Sequence, residues 1–269
     1  MQRIRLNEFD AQRLISAFKR RVVDIPHSLS WNLSLNAQKN KEKLSGFKGI
    51  HNGKRCFIIG NGPSLSLMDL SKLKDEITFG ANRIYLLFDK TEFRPTYYVS
   101  INELVLSQFR EEIFNLPMPK FLNWNMRSMY GIKEDIFYLR LRLGLNDRFE
   151  GNPLRPISPG GTVTFVSLQL AFFMGFSEVI LIGVDHNFTE KGIPNRSEVR
   201  MKEIDANHFD PNYFPKGVKW QLPDLTRSEI AYKIARKAFE ESGKRIFDAT
   251  LDGKCFVFEK MDWYSLWSK

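Results

Sequence analysis

The apolar run Phe57-Ile58-Ile59 ends on Gly60-Asn61-Gly62-Pro63-Ser64. Two glycines and an amide directly after a strand leave bare backbone and one donor–acceptor side chain. A phosphate or a nucleotide can lie against such a surface. A tight strand-to-helix turn uses the same residue types, so the loop by itself leaves both uses open. Two further apolar runs end in a similar way, "ITFGAN" on Asn82-Arg83 and "TYYVSIN" on Asn102. An asparagine amide matches sugar hydroxyls and the edge of a base, and it also serves as a turn residue or helix cap. "EVILIGVD" delivers Asp185 and His186, and Gly160-Gly161-Thr162 opens an apolar helix whose first N–H groups can receive an anion.

Transfer from a nucleotide-activated donor needs a base for the acceptor hydroxyl and cations or hydrogen-bond donors for the departing phosphate. His186 and His208 are the candidate bases. His208 lies in "NHFDPNYFPKG", a loop rich in proline and aromatics that can fold over a site as a lid. Tyr213, Lys216, Lys219 and Arg83 are candidates for phosphate contact, or are solvated and structural. Asp185 either orients a sugar hydroxyl or caps the next turn. Phe209, Tyr213, Phe214 and Trp220 either stack on a sugar or base or fix the lid to the body. No cysteine or histidine spacing has the form of a metal site, so none is expected.

These residues need a frame. From Cys56 onward short apolar strands ("CFIIG", "ITFGAN", "TYYVSIN", "KFLNW", "DIFYLRL", "EVILIGVD", "KRIFDAT") alternate with helical stretches ("SLMDLSKLK", "LVLSQFREEIFN", "TVTFVSLQLAFFMGF", "LTRSEIAYKIARKAFEESG"). The alternation predicts an α/β, Rossmann-like, doubly wound and mostly parallel sheet, with "KRIFDAT" as its last strand. In such a sheet ligands bind beyond the carboxyl ends of the strands, where the asparagines fall. Residues 3–23 carry apolar residues at helical spacing and predict a helix, while the polar, glycine-containing stretch 36–55 reads as a linker. The expected organisation is a basic helical extension over 1–54 and a Rossmann-like domain over 55–269, with 185–224 as lid or acceptor segment; the resemblance given below implies that this domain is catalytic and binds a nucleotide sugar.

The chain has 269 residues, 43% hydrophobic and 26% charged, as a globular protein with a sizeable core requires. Its net charge is +9, and residues 1–56 hold twelve Lys/Arg against four Asp/Glu, so nearly all of the excess lies before the first strand. Such an arm can attract an anionic membrane or an acidic glycan, or it can act as a solubilising tail. No nucleic-acid-binding module accompanies the charge, and no nucleic-acid partner is expected. Two cysteines, no signal-peptide apolar region and no run long enough to span a bilayer lead us to expect a cytoplasmic protein, free or peripheral at the inner membrane. The loop at 60–65 is not G-x-G-x-x-G with a ribose-binding acid behind it, and no G-x-x-x-x-G-K-[ST] is present.

The ordered set "IIGNGPSL", "GANRIY", "YYVSIN", the Gly-Gly-Thr helix start and "GFSEVILIGVD" resembles the bacterial DUF115 family, whose members are labelled MptE-like or Maf-like. More distantly it is similar to the bacterial sialyltransferases of glycosyltransferase family 42. The resemblance covers roughly residues 55–250. It implies that Asn61, Gly62 and Ser64 line a nucleotide, and that Asn82, Asn102 and the Gly161-Thr162 helix start contact the donor. Asp185 matches a Gly-Ile-Asp at the end of the central strand. The sialyltransferase likeness implies a CMP-activated sugar as donor, no cofactor, and a glycan, glycolipid or flagellin acceptor. The MptE-like label implies instead a 6-hydroxymethylpterin diphosphokinase using ATP and Mg2+, and a non-catalytic nucleotide-binding protein, oligomeric or not, is the third reading. Two family features differ. No tyrosine follows Asp185 until Tyr213, and "FPKGVKWQLPDLTR" has no histidine where the sialyltransferases place their base.

Overall fold

A computed structural model describes residues 11–267 other than 145 and 191, with side chains from residue 21 onward. Helices α1 (Ala11–Leu33) and α2 (Leu35–Ser45) precede β1 (Arg55–Ile59), β2 (Thr78–Ala81) and β3 (Tyr97–Ser100). Short helices α3 (Glu103–Gln108) and α4 (Arg110–Phe114) lead to β4 (Lys120–Asn123), α5 (Arg127–Tyr130) and β5 (Ile136–Leu139). The chain continues through α6 (Val163–Phe173), β6 (Glu178–Ile182), β7 (Ser197–Val199), β8 (Lys219–Gln221), α7 (Leu225–Glu241), β9 (Arg245–Asp248) and β10 (Glu259–Lys260).

Eight strands form one sheet in the order β10-β9-β6-β1-β2-β3-β4-β5, every neighbouring pair parallel. The molecule is therefore the doubly wound α/β, Rossmann-like fold that the alternating pattern predicts. β1 lies between β6 and β2, with Ile59 opposite both Ile182 and Gly80. From β1 the chain winds outward to β5, then returns as β6 on the other side of β1. The β1 and β6 loops thus leave the sheet at the topological switch point, where a crevice opens at the carboxyl ends. The unbroken apolar runs of β1 and β6 are buried because helices cover both faces. α6 is buried along nearly its whole length between the sheet and α7.

Several predicted elements change form. Residues 63–73 make two 3-10 turns, Pro63–Leu67 and Leu70–Leu73, rather than one helix. The stretch is broken at Met68, whose backbone is extended, and restarted by the Asp69 cap on Ser71. The helix after β3 splits at Phe109 into α3 and α4. A further edge strand, β10, follows β9. The N-terminal helix extends to Leu33, through Pro26, and its predicted residues 3–10 lie outside the described part. No helix among the described residues is long and apolar enough to cross a membrane.

Residues 36–55 are more than a linker. α2 covers the open edge of the sheet at β5, and its polar residues supply what an edge strand lacks. The Asn40 amide donates to Tyr138 O (2.9 Å) and accepts from Tyr138 N–H (2.7 Å), imitating a neighbouring strand. Lys43 Nζ donates to Lys133 O and Ile136 O (2.5 and 3.2 Å). Trp31, Ala37 and Leu44 join the main core. A buried edge strand left without such partners would leave unpaired peptide groups, at about 1–3 kcal/mol each.

Candidate functional site

The carboxyl ends of the strands enclose a cleft of about 580 Å³ at the switch point. This is the size and the place expected of a small-molecule site in such a sheet. Its floor is the contact between the β1 and β6 loops. Gly60 N–H donates to Ile182 O (2.8 Å) and Gly62 N–H to Gly183 O (2.9 Å). The approach is so close that a Cβ on Gly60 would lie 2.2 Å from Gly183 O, and one on Gly62 1.8 Å from Asp185 Oδ2. The two glycines are thus needed for loop-against-loop packing as well as for bare backbone.

Asp185 fastens this junction. Its carboxylate accepts from Ser64 N–H (3.0 Å) and Ser64 Oγ (2.7 Å), and its own carbonyl accepts from Lys254 N–H (2.8 Å). Burial pushes its carboxyl upward; the Ser64 hydrogen bonds oppose the rise and the nearby Asp248 charge adds to it. Asp185 borders the cleft, whereas Ser64 is buried beneath it, so the expectation that Ser64 contacts the nucleotide is corrected. Its hydroxyl is committed to the loop junction.

Asn61 bridges β1 to β2, with Nδ2 donating to Ala81 O (3.1 Å) while its backbone carbonyl accepts from Phe209 N–H (3.0 Å) of the segment between β6 and α7. Its Oδ1 is buried and has no hydrogen-bond partner among the described residues, in a residue that lines the cleft. Asn82 stands at φ 49°, in the left-handed region, held by Ser100 Oγ on its Oδ1 (3.1 Å) and by Tyr98 OH on its carbonyl (2.7 Å). Asn102 caps α3, its Oδ1 accepting from Leu104 and Val105 N–H. Asn82 and Asn102 both line the cleft. Across from them are Gly161 and Thr162, the N-cap of α6, whose hydroxyl takes Thr164 N–H (3.2 Å) and lies 3.5 Å from Tyr232 OH. Burial pushes the Tyr232 phenol up to about 12, so it remains a donor at neutral pH. Beside Gly161, Arg227 is held bidentately by Asp147 (2.7 and 2.9 Å), and Asp147 also accepts from Gly160 N–H.

The segment between β6 and α7 covers one side of the cleft. β7 and β8 pair antiparallel within it. Arg200 is buried between Glu190 (3.4 Å) and Asp205 (3.7 Å), and Asn207 bridges Thr189 and Glu190. Arg83 is buried, with its guanidinium donating to the carbonyls of Asn212 and Tyr213 and to Tyr85 OH. It therefore ties this segment to the end of β2 and is not among the residues lining the cleft. Lys216 also stands outside, exposed and 3.5 Å from Glu203. Lys219 is on the outer strand β8, its backbone paired with the Gln108 amide. Tyr213 reaches the cleft only with its ring, and its hydroxyl accepts from Arg83 N–H (3.2 Å). Burial holds its phenol protonated.

Both histidines border the cleft, each against a carboxylate. His186, at φ 54°, places Nε2 3.1 Å from Glu229 Oε1. His208 places Nδ1 2.9 Å from Asp205 Oδ2 and stacks on Tyr213 with ring centroids 3.9 Å apart and planes 2° from parallel. Asp205 is fully buried. Burial pushes its carboxyl up, but the His208 hydrogen bond and charge, with Asn207 N–H and Arg200, hold it below the usual value. An ionised Asp205 is an acceptor for an Nδ1 proton of His208, whose ring lines the cleft. An imidazole held by a buried carboxylate is an arrangement that can serve as a base with its orienting acid.

Asp205 was missed as a site residue, although it stands three positions before His208. Glu229, Asp147, Arg227, Asn123 and Tyr232 also escaped, being brought in from distant elements. Among the described residues no three His, Cys, Asp or Glu gather in a group that could hold a metal ion.

The family model for 6-hydroxymethylpterin diphosphokinase MptE-like proteins matches residues 28–191, and the chain belongs to this family. The match begins inside α1, ahead of the range over which the motifs alone carry the resemblance. In fold the chain is similar to the structure of the Maf glycosyltransferase from Magnetospirillum magneticum AMB-1, with 14% identity and a TM-score of 0.48, over 86% of this chain and 39% of that one. It thus spans well under half of the length of that protein. No match is found among curated proteins.

Proposed function

We propose that the chain is a glycosyltransferase that moves a sugar from a nucleotide-activated donor, of the CMP-linked type, to a hydroxyl of a bacterial surface glycan, lipooligosaccharide or flagellin. The observation that carries the proposal is the His208–Asp205 pair on an amide-rich cleft that His208 lines. In the proposed reaction the acceptor oxygen attacks the anomeric carbon and its proton passes to His208 Nε2. The bond from that carbon to the phosphate oxygen breaks, and its electrons leave with the nucleotide. The buried Asp205 stabilises the imidazolium formed, and general-base assistance of this kind is worth about 10²–10⁴ in rate.

Seven asparagines and one arginine occur among the described residues lining the cleft. Neutral amides suit a sugar, a ribose and a base edge. Asn61 Oδ1 would accept from a donor hydroxyl or exocyclic amine. Tyr232 OH and the first turn of α6 would meet the phosphate, with Arg227 beside them. The proposed donor is a substrate, and no further cofactor is invoked. The segment 185–224 would serve as the lid, opening to exchange donor for product.

The second reading, a pterin diphosphokinase-type phosphotransferase using Mg2+ and ATP, is favoured by the family description. Either group transfer would employ the same base on an acceptor hydroxyl. A thermal-shift panel with CMP, CDP, UDP, GDP, and ATP with Mg2+ separates them. A ligand at 100 times its Kd adds about 2.7 kcal/mol of stability. A rise with CMP or CDP and none with ATP supports the proposal, a rise with UDP or GDP retains transfer with another donor, and a rise requiring ATP and Mg2+ overturns it.

A further inference from the structure

α1 is amphipathic, but it is mounted with its polar side inward. Asp24 pairs with Arg140, Ser28 Oγ accepts from Arg140 (3.0 Å), and His27 faces Arg127 (2.9 Å) while its carbonyl accepts from Trp124 Nε1 (3.2 Å). Trp31, on the same side, packs against Trp124 with ring centroids 5.2 Å apart. The opposite side carries Val22, Ile25, Leu29 and Leu33, each between 46% and 73% exposed. At about 100° per residue these four fall within an arc of roughly 80°, an unbroken apolar stripe along the helix. A globular protein ordinarily turns such a stripe to its core.

From this we infer that the outward stripe of α1 docks on an anionic membrane surface. Charge complementarity selects this occupant. Arg21 is exposed at the stripe's flank, and positions 13, 19 and 20 of the same helix carry Arg, Lys and Arg. Asp24, the one acid in the helix sequence, is turned inward to Arg140. An apolar stripe with an exposed cation at its flank, on a helix whose sequence holds four Lys or Arg against one acid, matches a helix lying in the headgroup layer of anionic lipids. Residues 15 and 18, Ile and Phe, continue the same spacing toward the N-terminus. Pro26, also exposed, interrupts the regular ladder that a two-stranded coil of this helix would require. α1 rests on Trp124 and Arg140, which follow β4 and β5 at their carboxyl ends, the rim that also carries the cleft. Docking would therefore set that rim beside the bilayer. The inference does not depend on the reaction proposed above.

The test is co-sedimentation of the full chain with phosphatidylcholine vesicles, with and without phosphatidylglycerol, together with light scattering in the absence of lipid. The wild type should pellet with the anionic vesicles, less at high salt, and remain in solution with phosphatidylcholine alone. Ile25→Ser/Leu29→Ser, at exposed positions, should keep the wild-type melting temperature and lower binding at least about tenfold. Arg21→Glu should weaken it in the same direction. Leu67→Ser, at an exposed leucine elsewhere, should bind as wild type does. The inference is overturned if the wild type ignores anionic vesicles or if the double variant binds equally well. It is also overturned if the chain is a dimer that the double variant dissociates while vesicles capture neither.

Discussion

Gly62→Ala is a perturbation whose sign the structure decides. Gly62 has φ −68° and ψ 162°, a conformation any residue adopts, so alanine meets no backbone strain. Loss of unfolded-chain entropy would by itself favour alanine by about 0.4–1 kcal/mol. Against this, the new methyl would stand 1.8 Å from Asp185 Oδ2 and 2.4 Å from its Cγ. The carboxylate must retreat by more than an ångström, which breaks its hydrogen bonds to Ser64 N–H and Oγ. Hydrogen bonds to a charged acceptor are worth about 1.5–3 kcal/mol each. After partial relaxation and the entropic offset, the expected loss is about 2–4 kcal/mol. Urea unfolding at neutral pH measures it. In an Asp185→Ala background the same substitution should cost at least about 1 kcal/mol less, because the carboxylate is gone and only the Cβ, 2.9 Å from the new methyl, has to give way. Gly144→Ala, whose methyl would meet nothing nearer than 3.7 Å, should stay within about 0.5 kcal/mol of wild type. A Gly62→Ala protein as stable as wild type, or an equal loss with and without Asp185, would refute the loop-against-loop account.

Three other outcomes follow from the same geometry. Asn40→Ala should cost about 2–4 kcal/mol, since it strands both backbone groups of Tyr138 at the sheet edge, and hydrogen exchange of the Tyr138 amide should accelerate; an unchanged exchange rate would contradict the edge-cap role. Asp205 has its folded pKa below the ordinary 3.8, so the stability it contributes is present above that value and is lost as pH falls through the folded pKa. Melting temperature should therefore fall more steeply below about pH 4 in wild type than in Asp205→Asn, and parallel curves would sink the assignment. Asn61→Ala should weaken binding of the nucleotide that gives the largest thermal shift by about tenfold, about 1.4 kcal/mol, as calorimetric titration would show. Equal affinity would remove Asn61 Oδ1 from the site.

The central sheet was legible because its strands are short unbroken apolar runs. Ile58-Ile59 and Val179–Ile182 could be nothing but buried, and their loops announce themselves through glycine and asparagine. α2 was not, because Asn40 and Lys43 read as linker residues until the bare edge of β5 is seen beside them. The turns at 63–73 share apolar spacing with a helix, and spacing alone does not reveal the break at Met68. At the site, amide positions after strands could be anticipated, since the fold itself sends strand ends to one rim. Which polar groups serve one another could not. Ser64 and Asp185 meet across 121 positions, and Arg83, expected at a phosphate, is drawn instead to the carbonyls of Asn212 and Tyr213. The partner of His208 was within reach, since a carboxylate three positions earlier in a turn-rich loop can fold back onto an imidazole. Glu229, on α7, gave no local sign beside His186.

The most direct test of the central claim is nucleotide release from CMP-, UDP- and GDP-activated sugars by wild type and by His208→Gln, measured with binding of the same donors. Glutamine keeps a polar side chain beside Asp205 but cannot take up the acceptor proton. The account predicts a donor that wild type turns over and that His208→Gln binds within a few-fold of wild-type affinity, with release slowed at least about 10²-fold. Equal release by the two proteins, or release that appears only from ATP with Mg2+, would contradict it.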